Sequence, residues 1–422
     1  MRLYQHQADA LEKTKQYNRV AYYHDMGLGK TFTGAEKVSR LGARINLVVC
    51  QKSKIDDWVE HFKEYYSKYF VYDLTVEKQK KLFFEVGGSL FEPVVGVINY
   101  DVIFRRPELL ELTEFTLLLD ESSEIQNSTT KRAEFIAKLE PRNVILLSGT
   151  PVGGKYENLW SQLHLLGWGI SEKMFINQYV EYHYEDDEGF PVRIIDGYKN
   201  VDRLKRKMRD HGCHFLKSEE VFDLPEQNFQ TIYVPTTKEY WRFVDKSIIK
   251  LDAETELVGD TIFTKMLHER RLCGQYCESK LTAFRELLQS TNERVVVFYN
   301  YWGELGRLCE IVSEIEKPIS VVNGEEKNLD NYRDHENSVT FIQYQAGAMG
   351  LNLQKANIIV YFTPPLSSEL YEQSKKRIHR IGQSRPCFYY NLVCRSSIEE
   401  HIYEVLEMRK DYTEELFNDS RM

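Results

Sequence analysis

The stretch HDMGLGKTFTG, from His24 to Gly34, sets two glycines, a lysine and a threonine at a spacing suited to phosphate. Glycines let backbone N–H groups approach phosphate oxygens, a lysine neutralises the outer phosphates, and a hydroxyl ligates a divalent ion. Gly27, Leu28, Gly29, Lys30 and Thr31 carry the second half of the pattern G-x-x-x-x-G-K-[ST]; His24 replaces its first glycine. In FTLLLDESSEIQN, Asp120 and Glu121 close an apolar run. At a strand end one carboxylate can hold magnesium, here with Thr31, while its neighbour polarises an attacking water. A third set is QSKKRIHRIGQSR, with Lys375, Lys376, Arg377, Arg380 and Arg385. If this run is helical, Arg377 and Arg380 share a face at i and i+3. They then form a fork able to neutralise charge on a γ-phosphate.

Groups so far apart in sequence need a scaffold that returns repeatedly to one edge. Short β-branched runs (INLVVC, VVGVINY, FTLLLDE, NVILLSGT) alternate with longer polar, amphipathic stretches. The same rhythm recurs in RVVVFYN, ISVVNG, SVTFIQY, NIIVYF and CFYYNLV. Apolar strands alternating with helices predict an α/β fold with two tandem parallel-sheet lobes, and helical and hairpin insertions between them. The first lobe is expected over 1–225, with an insertion from about residue 167 that holds a hairpin around YEDDEGFPV. Residues 226–275 are expected as linker and helical insertion, DLPEQNFQTIYVP being the extended linker and TKEYWRFVDKSIIKLDAETEL helical. The second lobe follows over 276–422 and ends in an amphipathic helix packed on it.

Composition narrows the class. A length of 422 residues exceeds one ordinary core, and 28% charged with 42% hydrophobic residues is that of a soluble globular protein. Apolar runs stay at strand length, so no membrane partner is expected, and no secretory signal is visible. Seven scattered cysteines predict reduced thiols and a cytoplasmic protein of a bacterial or phage-infected cell, or a nuclear one if eukaryotic. Zinc is not expected, because CGQYC has three residues between its cysteines rather than two and HGCH lies on the other side of the expected linker. The net charge of −9 speaks against nucleic acid only as a global sum; local charge decides.

The motifs resemble those of the Swi/Snf-type ATPases of helicase superfamily II along nearly the whole chain. LYQHQADAL is similar to the adenine-reading Q motif, with Gln7 at the glutamine. VVCQKSKIDDWVEHFKEY resembles motif Ia, VINYDVI motif Ib, LLSGTPVGGKYENLWSQLHLL motif III and AGAMGLNLQKANIIVYF motif V. EQSKKRIHRIGQSRP, the most specific, resembles motif VI and adds Gln373 as a polar contact beside Arg377 and Arg380. The resemblance implies two RecA-like lobes, ATP with Mg2+, Lys30, Asp120 and Glu121 as catalytic groups, and DNA as partner. Departures are His24, Gln51 for a proline, Ser123 for a histidine, Ala348 for a glycine, and TPPLSS without the usual tryptophan.

Small polar strand ends suit backbone phosphates. Lys52, Ser53, Lys54, Asn99, Tyr100, Asn300, Gln345, Ala346 and Gly347 are therefore the expected DNA contacts, independent of base sequence. The expected activity is DNA-dependent ATP hydrolysis with translocation on duplex DNA by a monomer, working with replication or repair proteins. A strand-separating or annealing helicase at forks, and a nucleotide-gated binding module, stay open as alternatives.

Overall fold

The computed structural model describes residues 3–87, 92–187, 190–251, 255–347 and 351–417. Glu188 of the acidic hairpin and Ala348 of motif V lie outside them. The chain divides into two compact units, Met1–Val221 with Asp411–Met422, and Phe222–Lys410.

The first unit is built on a sheet of seven parallel strands: β1 Arg19–His24, β2 Ile45–Cys50, β3 Phe70–Asp73, β4 Val94–Asn99, β5 Thr116–Asp120, β6 Asn143–Ser148 and, after a hairpin, β9 Cys213–Leu216. Their order is β3-β4-β2-β5-β6-β1-β9. β4 and β6 are buried at every residue, because hydrophobic clusters cover both faces of the sheet. The helices of this unit include α1 Gln5–Lys13, α2 Lys30–Leu41 and α3 Ile55–Tyr65. Helix α2 crosses the sheet closely at Gly34, where a Cβ would lie 2.8 Å from Leu147 and 3.1 Å from Leu118.

The expected hairpin is formed by antiparallel β7 Val180–Asp187 and β8 Phe190–Tyr198.

The second unit carries seven more strands in the order β10-β18-β17-β13-β16-β14-β15. They are β10 Gln227–Val234, β13 Val295–Tyr299, β14 Ile319–Val322, β15 Lys327–Asn328, β16 Val339–Gln343, β17 Ile358–Tyr361 and β18 Cys387–Cys394; all but β15 run parallel.

Two expectations change here. The stretch expected as a linker contains β10, which pairs with β18 along its full length. Most of its side chains are exposed or half-buried, as on an edge strand, which an extended polar linker mimics in sequence. TKEYWRFVDKSIIKLDAETEL is helical only over Lys238–Lys246. Ser247 then turns left-handed (φ 55°), and Ile248–Lys250 (β11) pairs with Glu256–Val258 (β12). The terminal helix spans Ile398–Phe417, and Ile402 and Leu406 join the second unit's core as expected; within the first unit, Tyr412 packs with Tyr156 and Tyr198. Among the described residues no helix is long and apolar enough to cross a membrane.

Two buried ionisable groups shape the second unit. Lys280 donates to both carboxylate oxygens of Glu399 at 2.6 and 2.8 Å, with both side chains fully buried. Cys273 and Cys394 lie close to Glu399, whose carboxylate Lys280 already neutralises. Removing one partner of such a pair typically costs about 3–5 kcal/mol.

Glu304, also fully buried, accepts from the Asn300 and Tyr301 N–H groups and from Thr363 Oγ1, while its Oε1 has no hydrogen-bond partner. Burial outweighs those bonds and raises its pKa to about 7. A carboxyl group with a raised folded pKa contributes stability that is full below its unfolded value near 4.5 and lost as pH rises through 7. Urea midpoints should therefore fall between pH 6 and pH 8, a loss of stability of about 1 kcal/mol that Glu304→Gln removes. A parent and variant that track each other across that window would show that Glu304 does not titrate there.

Candidate nucleotide site

The loop between β1 and α2 is set by its glycines. Gly27 and Gly29 have φ of 87° and 68°, and Gly29 forms the left-handed N-cap of α2. Lys30 is the first residue of α2, and its ammonium donates to the carbonyls of His24 (2.8 Å) and Asp25 (3.3 Å). Leu28 is buried and Thr31 half-buried.

From α1, Gln7 reaches across to the loop. Its Nε2 donates to Leu28 O and Gly29 O, both at 3.2 Å, and its Oε1 accepts from Tyr4 N. Both amide donors thus brace the loop, and only one acceptor position is left for a base. His6 adds a second bond to Leu28 O.

His24 is fully buried, and its Nε2 lies 2.9 Å from His214 Nδ1. Burial first, then His214, Lys30 and His6, hold its pKa well below the usual value; His214 falls to about 4 through burial. Two neutral rings therefore share one proton and tie the end of β1 to β9.

The acidic pair leaves β5 on the same edge. Asp120 accepts from the Trp58 indole at 2.8 Å. Burial raises its pKa, with the Trp58 bond and Lys30 opposing and Glu121 adding to the rise. Glu121 is left-handed (φ 60°), which is rare without glycine. It is held from two sides: Ser148 Oγ and Ser123 Oγ donate to its Oε1 at 2.6 and 3.1 Å, and Tyr100 OH donates to the carbonyls of Asp120 and Glu121. Ser148 ends β6, and a Cβ on the following Gly149 would lie 3.3 Å from Lys30 Nζ. Lys30, Glu121, Ser148 and Gly149 thus form one neighbourhood. Asp120, Thr31 and their surroundings supply hard oxygen donors, which is the donor set magnesium takes.

Other expected residues fall differently. Motif VI is not one helix: the helix stops at Lys375, short of Arg377 and Arg380. Side-chain bonds hold the following turn instead, with Gln383 donating to Gln354 O, Ala356 O and Ile378 O, and His379 bonding Pro225 O. Gly382 (φ 94°) closes it. Arg377 is buried, Arg380 is half-buried with its pKa lowered by burial, and Gln373 is buried and donates to Glu369.

Of the expected DNA contacts, Lys52, Ser53 and Gln345 are exposed and Lys54 pairs with Asp57. Asn99, Tyr100 and Ala346 are buried, and Asn300 donates inward to Thr363 and Pro364. Gly347 closes the short helix Tyr344–Gly347. Sequence reasoning missed Trp58, Ser148 and the bracing role of Tyr100, because nothing in a tryptophan's or tyrosine's spacing marks which carboxylate its polar tip will meet.

The loop geometry is testable. A Cβ at Gly29 would sit 2.4 Å from Gln7 Nε2, and the left-handed backbone alone costs a β-carbon about 1–2 kcal/mol. Gly29→Ala should lower the melting temperature and abolish nucleotide binding, and adding Gln7→Ala should recover part of the melting temperature but not the binding. Additive losses in the double variant would refute the contact.

Comparison with known proteins places the chain in a family. Residues 13–278 match the SNF2-related domain and residues 279–382 the helicase conserved C-terminal domain. The chain is 23% identical over 437 residues to the mouse SWI/SNF-related matrix-associated actin-dependent regulator of chromatin subfamily A member 1, covering 91% of this chain and 40% of that protein. It is 23% identical over 439 residues to the ISWI chromatin-remodeling complex ATPase ISW1 of Saccharomyces cerevisiae, covering 90% and 37%. The chain thus spans about 40% of the length of these relatives. Among solved structures, the Sulfolobus solfataricus SWI2/SNF2 ATPase core in complex with dsDNA aligns at 18% identity and TM-score 0.46, over 98% of this chain and 92% of that one. With a family model matched over more than half its length, the chain belongs to the SNF2-related family, an SNF2-related domain followed by a helicase conserved C-terminal domain.

Proposed function

We propose that the chain hydrolyses ATP in response to DNA and uses the cycle to move along duplex DNA without reading its sequence. The observation that carries this is the convergence of the Gly29–Lys30 loop on Glu121, which two serine hydroxyls hold at one oxygen. Lys30 exchanges its bonds to His24 O and Asp25 O for phosphate oxygens, and backbone N–H groups at the start of α2 face the same charge. Ser148 and Ser123 leave Glu121 Oε2 to take a proton from the attacking water. Thr31 and Asp120 are the residues to hold magnesium, which when bound offsets charge on the phosphates. Arg377 and Arg380 are the candidates to neutralise the transferred phosphoryl group.

Lys52, Ser53 and Gln345, all exposed at strand ends, support backbone contact with DNA. The β7–β8 hairpin carries Glu185, Asp186 and Asp187 near its turn, and carboxylates are repelled by phosphates. That hairpin is a poor wedge, which favours translocation over strand separation.

Lys30→Ala should lose ATP binding, whereas Glu121→Gln should bind ATP and turn over at least about 100-fold slower. Arg380→Ala should cut turnover by about 10³-fold with ATP affinity nearly unchanged. Turnover by Glu121→Gln within a fewfold of the parent would remove the assigned base.

DNA stimulation should weaken with salt, with a log–log slope near −0.9 per phosphate contacted. The parent should displace the third strand of a triplex and leave a forked duplex intact. Fork unwinding without triplex displacement would establish the helicase alternative, and turnover indifferent to any DNA the binding-module alternative.

A further inference from the structure

We infer that Trp58 is a positioning residue for the magnesium end of the site: its indole N–H fixes the rotamer of Asp120, so that the other carboxylate oxygen faces the metal. This rests on the proposed ATP site and adds to it a residue from a different element.

The placement follows from sheet order. β2 and β5 are neighbours in parallel register, from Asn46 opposite Thr116 to Val49 opposite Leu119. The helix that follows β2 therefore starts beside the residue that follows Leu119, which is Asp120. Along α3 the buried side chains are Ile55, Trp58, His61 and Phe62, the i, i+3, i+6, i+7 face of a helix lying on a sheet. Trp58 is 1% exposed and stacks on Phe62 at 5.9 Å.

Packing alone accounts for the ring but not for its polar edge. A buried indole N–H needs an acceptor, and a backbone carbonyl would serve. Here it meets Asp120 Oδ2 at 2.8 Å, a short bond to an ionisable group. Among the described residues no other side chain donates to the Asp120 carboxylate. One oxygen is thus pinned by the indole and the second is left to a ligand from outside the chain. This is the arrangement by which an outer partner orients a metal-binding carboxylate, and loss of such a partner typically lowers metal affinity by about 10–100-fold.

The test separates the N–H from the ring. Trp58→Phe removes the donor and some volume; benzothienylalanine placed at position 58 keeps the bicyclic shape and removes the donor alone. Binding of Mn2+ in the presence of adenylyl imidodiphosphate is followed by electron paramagnetic resonance, and binding of the nucleotide without metal is measured separately. Both variants should weaken Mn2+ by about tenfold or more, leave metal-free nucleotide binding within twofold, and raise the Mg2+ needed for half-maximal turnover more than the KM for ATP. Mn2+ affinity within twofold of the parent in the benzothienylalanine protein would overturn the proposal and reduce Trp58 to packing. Asp120→Asn is the control for the site itself. If Mn2+ still binds normally to that variant, the assignment of Asp120 as a ligand fails, and the role of Trp58 fails with it.

Discussion

Parallel pairing of β1, β2, β5 and β6 is the constraint on which the rest of the first unit depends. Strands that run the same way end at the same edge, so the segments after them meet there. The glycine loop follows β1, the Lys52–Lys54 turn follows β2, Asp120 ends β5 with Glu121 after it, and Ser148 ends β6 ahead of Gly149 and Thr150. Because β6 lies between β5 and β1, Ser148 reaches Glu121 on one side while Gly149 abuts Lys30 on the other. No segment has to bend out of its way to build the site.

The edge nonetheless stores strain at one place. Glu121 holds a left-handed backbone, a conformation that costs a non-glycine residue about 1–3 kcal/mol. Three hydroxyls hold it there: Tyr100 OH, whose one proton is shared between the Asp120 and Glu121 carbonyls, and two serine hydroxyls on the carboxylate. At about 1 kcal/mol net for each, they offset a strain of that size. Relaxing the backbone would swing the carboxylate away from Ser148. The position of Glu121 is therefore a property of three elements together, since Tyr100, Ser123 and Ser148 follow or end three different strands.

How much was legible in the sequence depended on whether the signal was local. The placement of the loop and the acidic pair was readable because each lies within a few residues of one strand end, and the strand rhythm was readable because buried parallel strands are apolar throughout. β10 was not, since half its side chains face away from the core and its polarity matched a linker. The turn carrying Arg377 and Arg380 was not, since a helix-compatible run gave no sign that Gln383, farther along, would bond three carbonyls and replace helical pairing. Tyr100 was read outward as a phosphate contact; its hydroxyl points inward because Asp120 O and Glu121 O need donors there. These are long-range facts, separated by 20 residues or more in the case of Tyr100, and composition does not encode them.

The same distinction explains the departures from the family pattern. Gln51, where a proline is usual, donates to Glu124 at 3.3 Å and so joins the turn after β2 to the loop after the acidic pair. Ser123, where a histidine is usual, donates to Glu121 within the same loop. His24, at the loop's variable position, faces His214 at the end of β9. Each replacement gives a polar side chain a partner inside the first unit. Gln51, Ser123 and His24 all sit at strand ends on the edge that the parallel order created, where loops lie within hydrogen-bond reach of one another. Substitution there changes which loops are tied together, while the buried parallel strands keep the ends that lead to Lys30, Asp120 and Glu121 at one edge.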